Sequence, residues 1–386
     1  MDAATDTVLA QNSQCNGSLT ILSQSDASSI QSCRTYQGSV TISPNATGAI
    51  SLNGIAGITG DLTCNGATQL TSLSADQLGT IGGTFDLQGL TIMSSLSMSS
   101  LRNVNSIRWI TLPALQQLSF PQGVSQANNV YISDTALTTL RGIELTAVGR
   151  VDINNNQYLK TINVNALTNV TTSLAFSANG PNLDIEFPNL GSAANLTFRD
   201  VSSISLPSLN QVPGAMGFYS NAFTSFSAPN LTAVGGTIAF VNSPNLANLT
   251  MPSLTYVGGG LQLANNSRLA SINGFNALAQ IGGDINFYGT FDSVSFSSLT
   301  NVRGAANVIT SSQNSSLCKL FTDAKSRQII KGNVNCRTNT VSSQTNGSSS
   351  SGSGTSSSNA AVAPSFSIAT SFTGLAAVVV AAALFA

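Results

Sequence analysis

The chain has 386 residues, with 8% charged, a net charge of −1 and no histidine. Ordinary soluble domains carry about 25% charged residues, so solubility here must come from Ser, Thr, Asn and attached sugar. The balance gives the whole chain no pull toward nucleic acid or anionic lipid. Without histidine, Ser–His–Asp and Cys–His nucleophiles, the usual imidazole base and the usual zinc sites are excluded.

Residues 1–14 contain Asp2 and Asp6, with no basic region and no apolar stretch, so they read as an N-terminal remnant without a recognisable signal peptide. From Leu19 onward an apolar–x–apolar signature recurs every 20–24 residues. Its members are Leu19/Ile21, Val40/Ile42, Leu62/Cys64, Phe85/Leu87, Ile107/Trp109, Val130/Ile132, Val151/Ile153, Leu174/Phe176, Leu196/Phe198, Met216/Phe218, Ile238/Phe240, Leu261/Leu263 and Ile285/Phe287. Such a period marks a solenoid, in which each coil stacks on its neighbour and none buries a core alone. One coil reads as a glycine turn (Gly235, Gly236), a strand with alternate residues inward (Ile238, Phe240), a polar corner (residues 242–245) and a second apolar side (Leu246, Leu249, Met251). A Pro-x-Leu-x-x-Val closure then follows at 252–257, as it does at 207–212 and 229–234. Helical periodicity is nearly absent, which disfavours arrays of helices. The expectation for residues 15–337 is an all-β, right-handed parallel β-helix or leucine-rich-repeat-like solenoid. It would have about 14 coils and capped ends, giving a rod of roughly 65 Å.

Cys15 and Cys33 flank the first coil, and Cys318 and Cys336 flank the last. Pairing each couple would staple the two ends, where coils lack a neighbour, for roughly 3 kcal/mol each. Cys64 is left over in an inward slot and reads as a buried, inert thiol. Residues 319–331 read as a short helix ending at Gly332, a lid over the last coil.

Outward positions on successive coils carry Asp86, Arg108, Tyr131 and Asp152. The last three form the one outward stripe with chemical variety and are candidate surface contacts. Asp86 and Asp152, three coils apart, would be separated by roughly 14 Å, beyond the ~5–9.5 Å that glycosidases need. Asp184 and Glu186 flank inward Ile185 at roughly 7 Å, a spacing that suits an inverting pair but also two solvated charges on a strand. Trp109, the one tryptophan, falls inward, so Tyr131, Tyr219 and Tyr288 are the aromatic surface candidates.

Nine Asn-x-Ser/Thr sequons occur, at Asn16, Asn45, Asn169, Asn195, Asn230, Asn248, Asn265, Asn314 and Asn346. Asn230, in a proline corner, is expected outside, and Asn195, beside an inward leucine, is expected to be partly shielded. After Arg337 no charged residue follows in the remaining 49. A Ser/Gly-rich stretch at 338–359 reads as a stalk. Small residues 359–361, a mildly polar spacer at 362–373 and an apolar end at 374–386 match a GPI-attachment signal. Asn359 is the preferred attachment residue, ahead of Ser358 and Gly354, and 360–386 would be removed on maturation. A spanning helix needs about 20 apolar residues, more than this end offers.

Residues 50–55, 60–65, 151–156, 176–180, 185–190, 226–231 and the Cys318…Ile330-Lys331-Gly332…Cys336 ending give the chain a family resemblance. It resembles the fungal GPI-anchored cell-wall proteins of the extracellular-mutant and sporulation-specific type, whose ectodomains are similar to receptor L-domains. That resemblance covers nearly everything from Cys15 to the tail. It implies a surface glycoprotein needed for wall organisation and integrity, with no assigned enzymatic activity; no metal or cofactor is expected. Its expected location is the outer face of the plasma membrane and the cell wall, with membrane contact through the lipid and with wall glucan or other wall proteins as partners. The alternatives are a carbohydrate-binding module, or a glycosidase or transglycosylase acting on wall polysaccharide.

Overall fold

The computed structural model describes residues 13–339. Residues 1–12, Asn346, the candidate attachment residues Gly354, Ser358 and Asn359, and the 360–386 signal lie outside the described residues. The described chain is a parallel β-solenoid of about 13 turns with 6% helix. That agrees with the solenoid of about 14 coils that the spacing suggests.

Its main sheet has 23 strands, backed by four sheets of two or three short strands. The two inward columns keep register from end to end. The first runs from Leu19↔Val40 to Ala306↔Val334, and the second from Ile21↔Ile42 to Val308↔Cys336. Strand Ile238–Val241 illustrates one pass. After it the chain turns, forms Asn248–Thr250 on the back, turns at Pro252 and forms Tyr256–Val257, then re-enters the next rung at Leu261–Ala264. The entry turn admits no side chain: a Cβ on Gly258 would lie 2.0 Å from the carbonyl oxygen of Gly235 on the coil below.

Phe176, Phe198, Phe218 and Phe240 fall in the second inward column and stack rung on rung. Successive ring centroids are 5.8, 5.5 and 4.4 Å apart. Just past that column the chain leaves the strand through the left-handed region, at Thr111, Asp134, Asn155, Ala178, Asp200, Ser220, Asn242 and Asn265, with φ between 52° and 58°. Gly66 and Gly89 fill the same slot in earlier coils. The next residue points inward, and there the solenoid buries a polar ladder: Thr135, Asn156, Asn179, Asn221, Ser243 and Asn266. Asn179 donates to Ile153 O (2.8 Å) and Asn266 to Phe240 O (2.8 Å), while Asn221 accepts from the Val201 N–H (2.9 Å). The buried Val201 N–H of the turn is thereby satisfied, and the Ile153 and Phe240 carbonyls each gain a side-chain donor. Residues 242–245 do form a polar corner, but Ser243 within it is buried in this ladder, which the spacing alone does not specify.

The ends are capped by helices. α1 (Gln24–Ser29) lies within the first coil, where no helix was expected. Asp26 fixes its start by accepting from the Leu22 and Ser23 N–H groups (2.9 Å each) and the Ser23 hydroxyl. These bonds, the backbone ones foremost, hold its carboxyl below the usual range. α2 (Ser316–Ser326) corrects the expected helix at 319–331: it starts earlier and stops sooner. Gln328 enters the left-handed region (φ 57°) and the N–H of Ile329 closes onto Ala324 O (2.9 Å). Ile330 must leave the helix to be buried beside Val302, which it bridges as a strand neighbour. Leu317 and Phe321 seal the last coil, Phe321 edge-on to Phe287. Disulfides join Cys15 to Cys33 and Cys318 to Cys336, each across 18 residues of sequence.

Candidate surface site

Strand alternation sends the residue between the two inward slots to the outside. Parallel register then stacks these outward residues into a file along the axis. Asp86 pairs in register with Arg108, Arg108 with Tyr131, and Tyr131 with Asp152. The structure thus brings the three candidate contacts together as neighbours, all partly buried. Arg108 donates from Nη1 to Asp86 Oδ1 at 3.0 Å and to Gln88 Oε1 at 3.2 Å. Asp86 also accepts from Asn65 Nδ2 at 3.2 Å. At the other end Asp152 accepts from Asn154 Nδ2 (2.9 Å), whose Oδ1 takes the Ser133 hydroxyl (2.6 Å). Gln88, Asn65, Asn154 and Ser133 were not singled out from the sequence. Their signal is their place one outward position further along the same rungs.

Side-chain hydrogen bonds tie up both ends of the file, although Asn65 Oδ1 is buried without a partner among the described residues. A surface ion pair such as Asp86–Arg108 contributes only about 0.2–1 kcal/mol. Neither aspartate faces the other, and Arg108 and Tyr131 stand between them on intervening rungs.

The second carboxylate candidate lies on the back. Asp184 and Glu186 are exposed on strand Asp184–Glu186, either side of buried Ile185. Asp184 Oδ1 accepts the Ser203 hydroxyl at 2.7 Å, and the register places only serines, Ser203 and Ser205, on the next rung. Asp76 is held in the same manner: it accepts from the Ser99 and Ser97 hydroxyls (2.6 and 2.8 Å), which keep its carboxyl below the usual range. Among the described residues, no group of three or more Cys, Asp and Glu residues is placed to hold a metal ion. A small cavity between Val151, Ile153, Ile162, Leu174 and Phe176 has wholly apolar walls and offers nothing to orient a polar ligand.

The aromatic candidates differ in availability. Tyr131 and Tyr288 are partly exposed. Tyr219 has the Arg199 guanidinium 4.1 Å over its ring and lies across Gly217, where a Cβ would meet its Cε2 at 2.6 Å. Trp109 is fully buried, edge-on to Phe85 and Phe120 at 5.7 and 6.0 Å.

No family model and no solved structure matches the chain. It is 40% identical over 336 residues to Protein ecm33 of Aspergillus fumigatus, across 87% of this chain and 83% of that protein. It is 41% identical over 329 residues to a cell surface GPI-anchored protein of Arthroderma benhamiae, across 85% and 84%. With the cell wall mannoprotein PST1 of Saccharomyces cerevisiae it shares 36% identity over 322 residues, across 83% and 71%. The chain belongs to the ecm33 family of fungal cell-wall and cell-surface proteins.

On this ecm33-family solenoid the described sequons fall on several sides. Asn16, Asn45, Asn195, Asn230, Asn248, Asn265 and Asn314 are exposed and Asn169 partly so. Asn230 donates to Pro207 O (2.8 Å) from its proline corner. Asn195 is exposed where partial shielding was expected, yet its amide is engaged at both ends: Nδ2 donates to Thr172 O (3.0 Å) and Oδ1 accepts from the Ala215 N–H (3.0 Å). It links three rungs, so a sugar there must be accommodated around existing bonds.

Cys64 is the free thiol, fully buried between Ile42 and Leu87, and burial pushes its pKa up to about 12. An unfolded thiol ionises near pH 8.5, so the folded form binds the extra proton between those values. Its stabilisation is complete below pH ~8.5 and is lost as pH rises toward the folded value, by up to roughly 1.4 kcal/mol per pH unit. Cys64→Ala should therefore narrow its stability deficit relative to the unaltered chain when chemical denaturation is repeated at pH 10 instead of pH 7. A deficit unchanged between the two would mean that the thiol is not shielded from water.

Proposed function

We propose that this ecm33-family chain acts as a non-enzymatic scaffold of the fungal cell wall. It is a glycosylated β-solenoid on a Ser-rich stalk, tethered by GPI to the outer face of the plasma membrane or transferred from it to wall glucan. The names carried by its relatives support the wall and the surface. The observation that carries the scaffold reading is how its outward polar groups are used. Arg108 is tied to Asp86, Asp184 to Ser203 and Asp76 to Ser97 and Ser99, each across a rung boundary. Groups spent on bonds between coils rigidify a rod, whereas acid–base catalysis needs a carboxylate free to reach a substrate proton.

The test separates anchoring from chemistry in cells lacking the endogenous protein. Deleting 375–386 leaves every buried residue of the solenoid in place. The shortened chain should appear in the medium or stall in the secretory pathway, with wall-dye sensitivity unrepaired. Asp184→Asn with Glu186→Gln keeps shape and hydrogen bonding but abolishes acid–base chemistry, and should repair the wall as well as the unaltered chain. Repair by the shortened form together with failure of the double variant would replace the scaffold by a glycosidase.

A further inference from the structure

The near-neutral total conceals a separation of charge along the chain. The stretch from Arg303 to Arg337 holds six of the 14 Lys and Arg residues and, in Asp323, one of the 15 acids. It is thus at +5 while the remainder is at −6, consistent with the total of −1. Arg303, Lys319, Lys325, Arg327, Lys331 and Arg337 are all exposed. Lys319 pairs with Asp323 within α2; the other five have no ion pair among the described residues.

Backbone register puts two of these cations on neighbouring rungs, and a third joins them from α2. Val302 bridges Ile330, the Lys331 N–H donates to Val302 O and the Gly332 N–H to Gly304 O (2.9 Å each). Arg303 and Lys331 therefore occupy the same corner on neighbouring rungs. Lys325 reaches in from α2 and donates from Nζ to Lys331 O at 2.9 Å. Like charges side by side on adjacent strands are destabilising, and no acid of the described chain forms an ion pair with this corner. An anionic partner would relieve that repulsion. The cap is also the end from which the chain departs: Val334–Arg337 is the last rung, and the 49 residues beyond carry no charge.

We propose that this basic cap docks on a membrane surface through the phosphates of anionic lipid headgroups, centred on Arg303, Lys325 and Lys331. Attraction of this kind acts within about 8 Å at physiological ionic strength, so the cap must sit against the headgroups. The proposal rests on the GPI reading only for what brings the cap to a membrane. Docked in this manner, the more acidic remainder of the solenoid is directed away from the lipid.

The experiment mixes the full chain with phosphatidylcholine vesicles, or with the same vesicles containing roughly 30% phosphatidylinositol, and measures the bound fraction by sedimentation. Comparing the two vesicle types cancels any shared contribution of the apolar tail. Binding should be roughly tenfold or more stronger on the anionic vesicles. The gain should vanish in about 1 M salt, where screening acts within about 3 Å. R303Q/K325Q/K331Q should lose the gain while keeping the β-type circular dichroism spectrum and the melting temperature. R34Q/R141Q/R268Q, which removes three exposed cations from the body, should retain it. Equal binding to both vesicle types, or a gain that survives R303Q/K325Q/K331Q, overturns the proposal. Capture by dextran sulfate without a gain on anionic vesicles also overturns it, in favour of a soluble polyanion. Mass spectrometry of the mature C-terminus tests the anchor separately: a C-terminus without lipid removes the tether and leaves the vesicle result standing.

Discussion

Asn156→Leu should lower the unfolding free energy by about 3–5 kcal/mol, although the two side chains are similar in size. The Asn156 Oδ1 accepts from the Thr135 N–H (3.1 Å) and hydroxyl (2.6 Å), and its Nδ2 donates to Ile132 O (3.1 Å) and Asn154 O (2.8 Å). Its own N–H also donates to Asn179 Oδ1 at 3.1 Å, and one of the two Nδ2 hydrogens is shared with that oxygen at 3.1 Å. Leucine leaves the Thr135 N–H and hydroxyl, both donors to Asn156 Oδ1, buried without that acceptor, each costing about 1–3 kcal/mol. It also removes a donor to Asn179, which is the next member of the ladder. Urea unfolding with an unchanged m value would measure the loss. A cost below about 1 kcal/mol would mean that water enters the turn and replaces the amide.

Phe218→Ala should cost about 3–5 kcal/mol. Its ring stacks between Phe198 (5.5 Å) and Phe240 (4.4 Å) and tilts against Phe226 at 4.6 Å, fully buried. Three neighbouring coils lose packing at once, because the column repeats the same side chain at the same height. The damage should be local. In a solenoid, stability is approximately a sum over coils and their nearest-neighbour contacts. Hydrogen exchange should accelerate most across residues 196–264 and least in the disulfide-closed ends. Uniform acceleration along the whole chain would show that the coils unfold as one unit instead.

The solenoid was legible because its evidence repeats: one weak apolar–x–apolar signal means little, but the same signal at Leu19, Val40, Leu62 and onward fixes a period and both inward columns. Part of what was not legible depends on partners more than 20 residues away. Nothing local to Asn156 or Asn266 separates a buried amide from a turn residue. The decision is made by carbonyls on the preceding coil, Ile132 and Phe240. α1 was hidden because its residues are polar and its start depends on the Asp26 carboxylate reaching back to Ser23. Gly332 is not the stop of α2, although glycine is the usual signal for one. Gln328 adopts the left-handed turn instead, so that Ile330 can be buried. In the surface file, sequence put Asp86 and Arg108 on adjacent coils. That Arg108 is already engaged, by Asp86 and by Gln88, is a matter of side-chain reach that spacing does not specify.

The disulfide at the C-terminal end has a mechanical consequence. Any pull on the chain beyond Asn339 enters the solenoid through its last rung, Val334–Arg337, whose only strand partner among the described residues is Ala306–Thr310. Parallel rungs loaded at one end give way in succession, one ladder bond after another, like a zipper opened from its tab. Here the zipper has a stop one residue inside Arg337. Cys336 is covalently joined to Cys318, and Cys318 sits on α2 beside Leu317, which is buried against the last coil. Force arriving at Cys336 is therefore shared with a helix seated on the core, and the strand cannot peel past that point without dislodging α2 as well. Reducing that one bond would change the failure of the rod under tension from a lid torn off whole to coils unwinding singly.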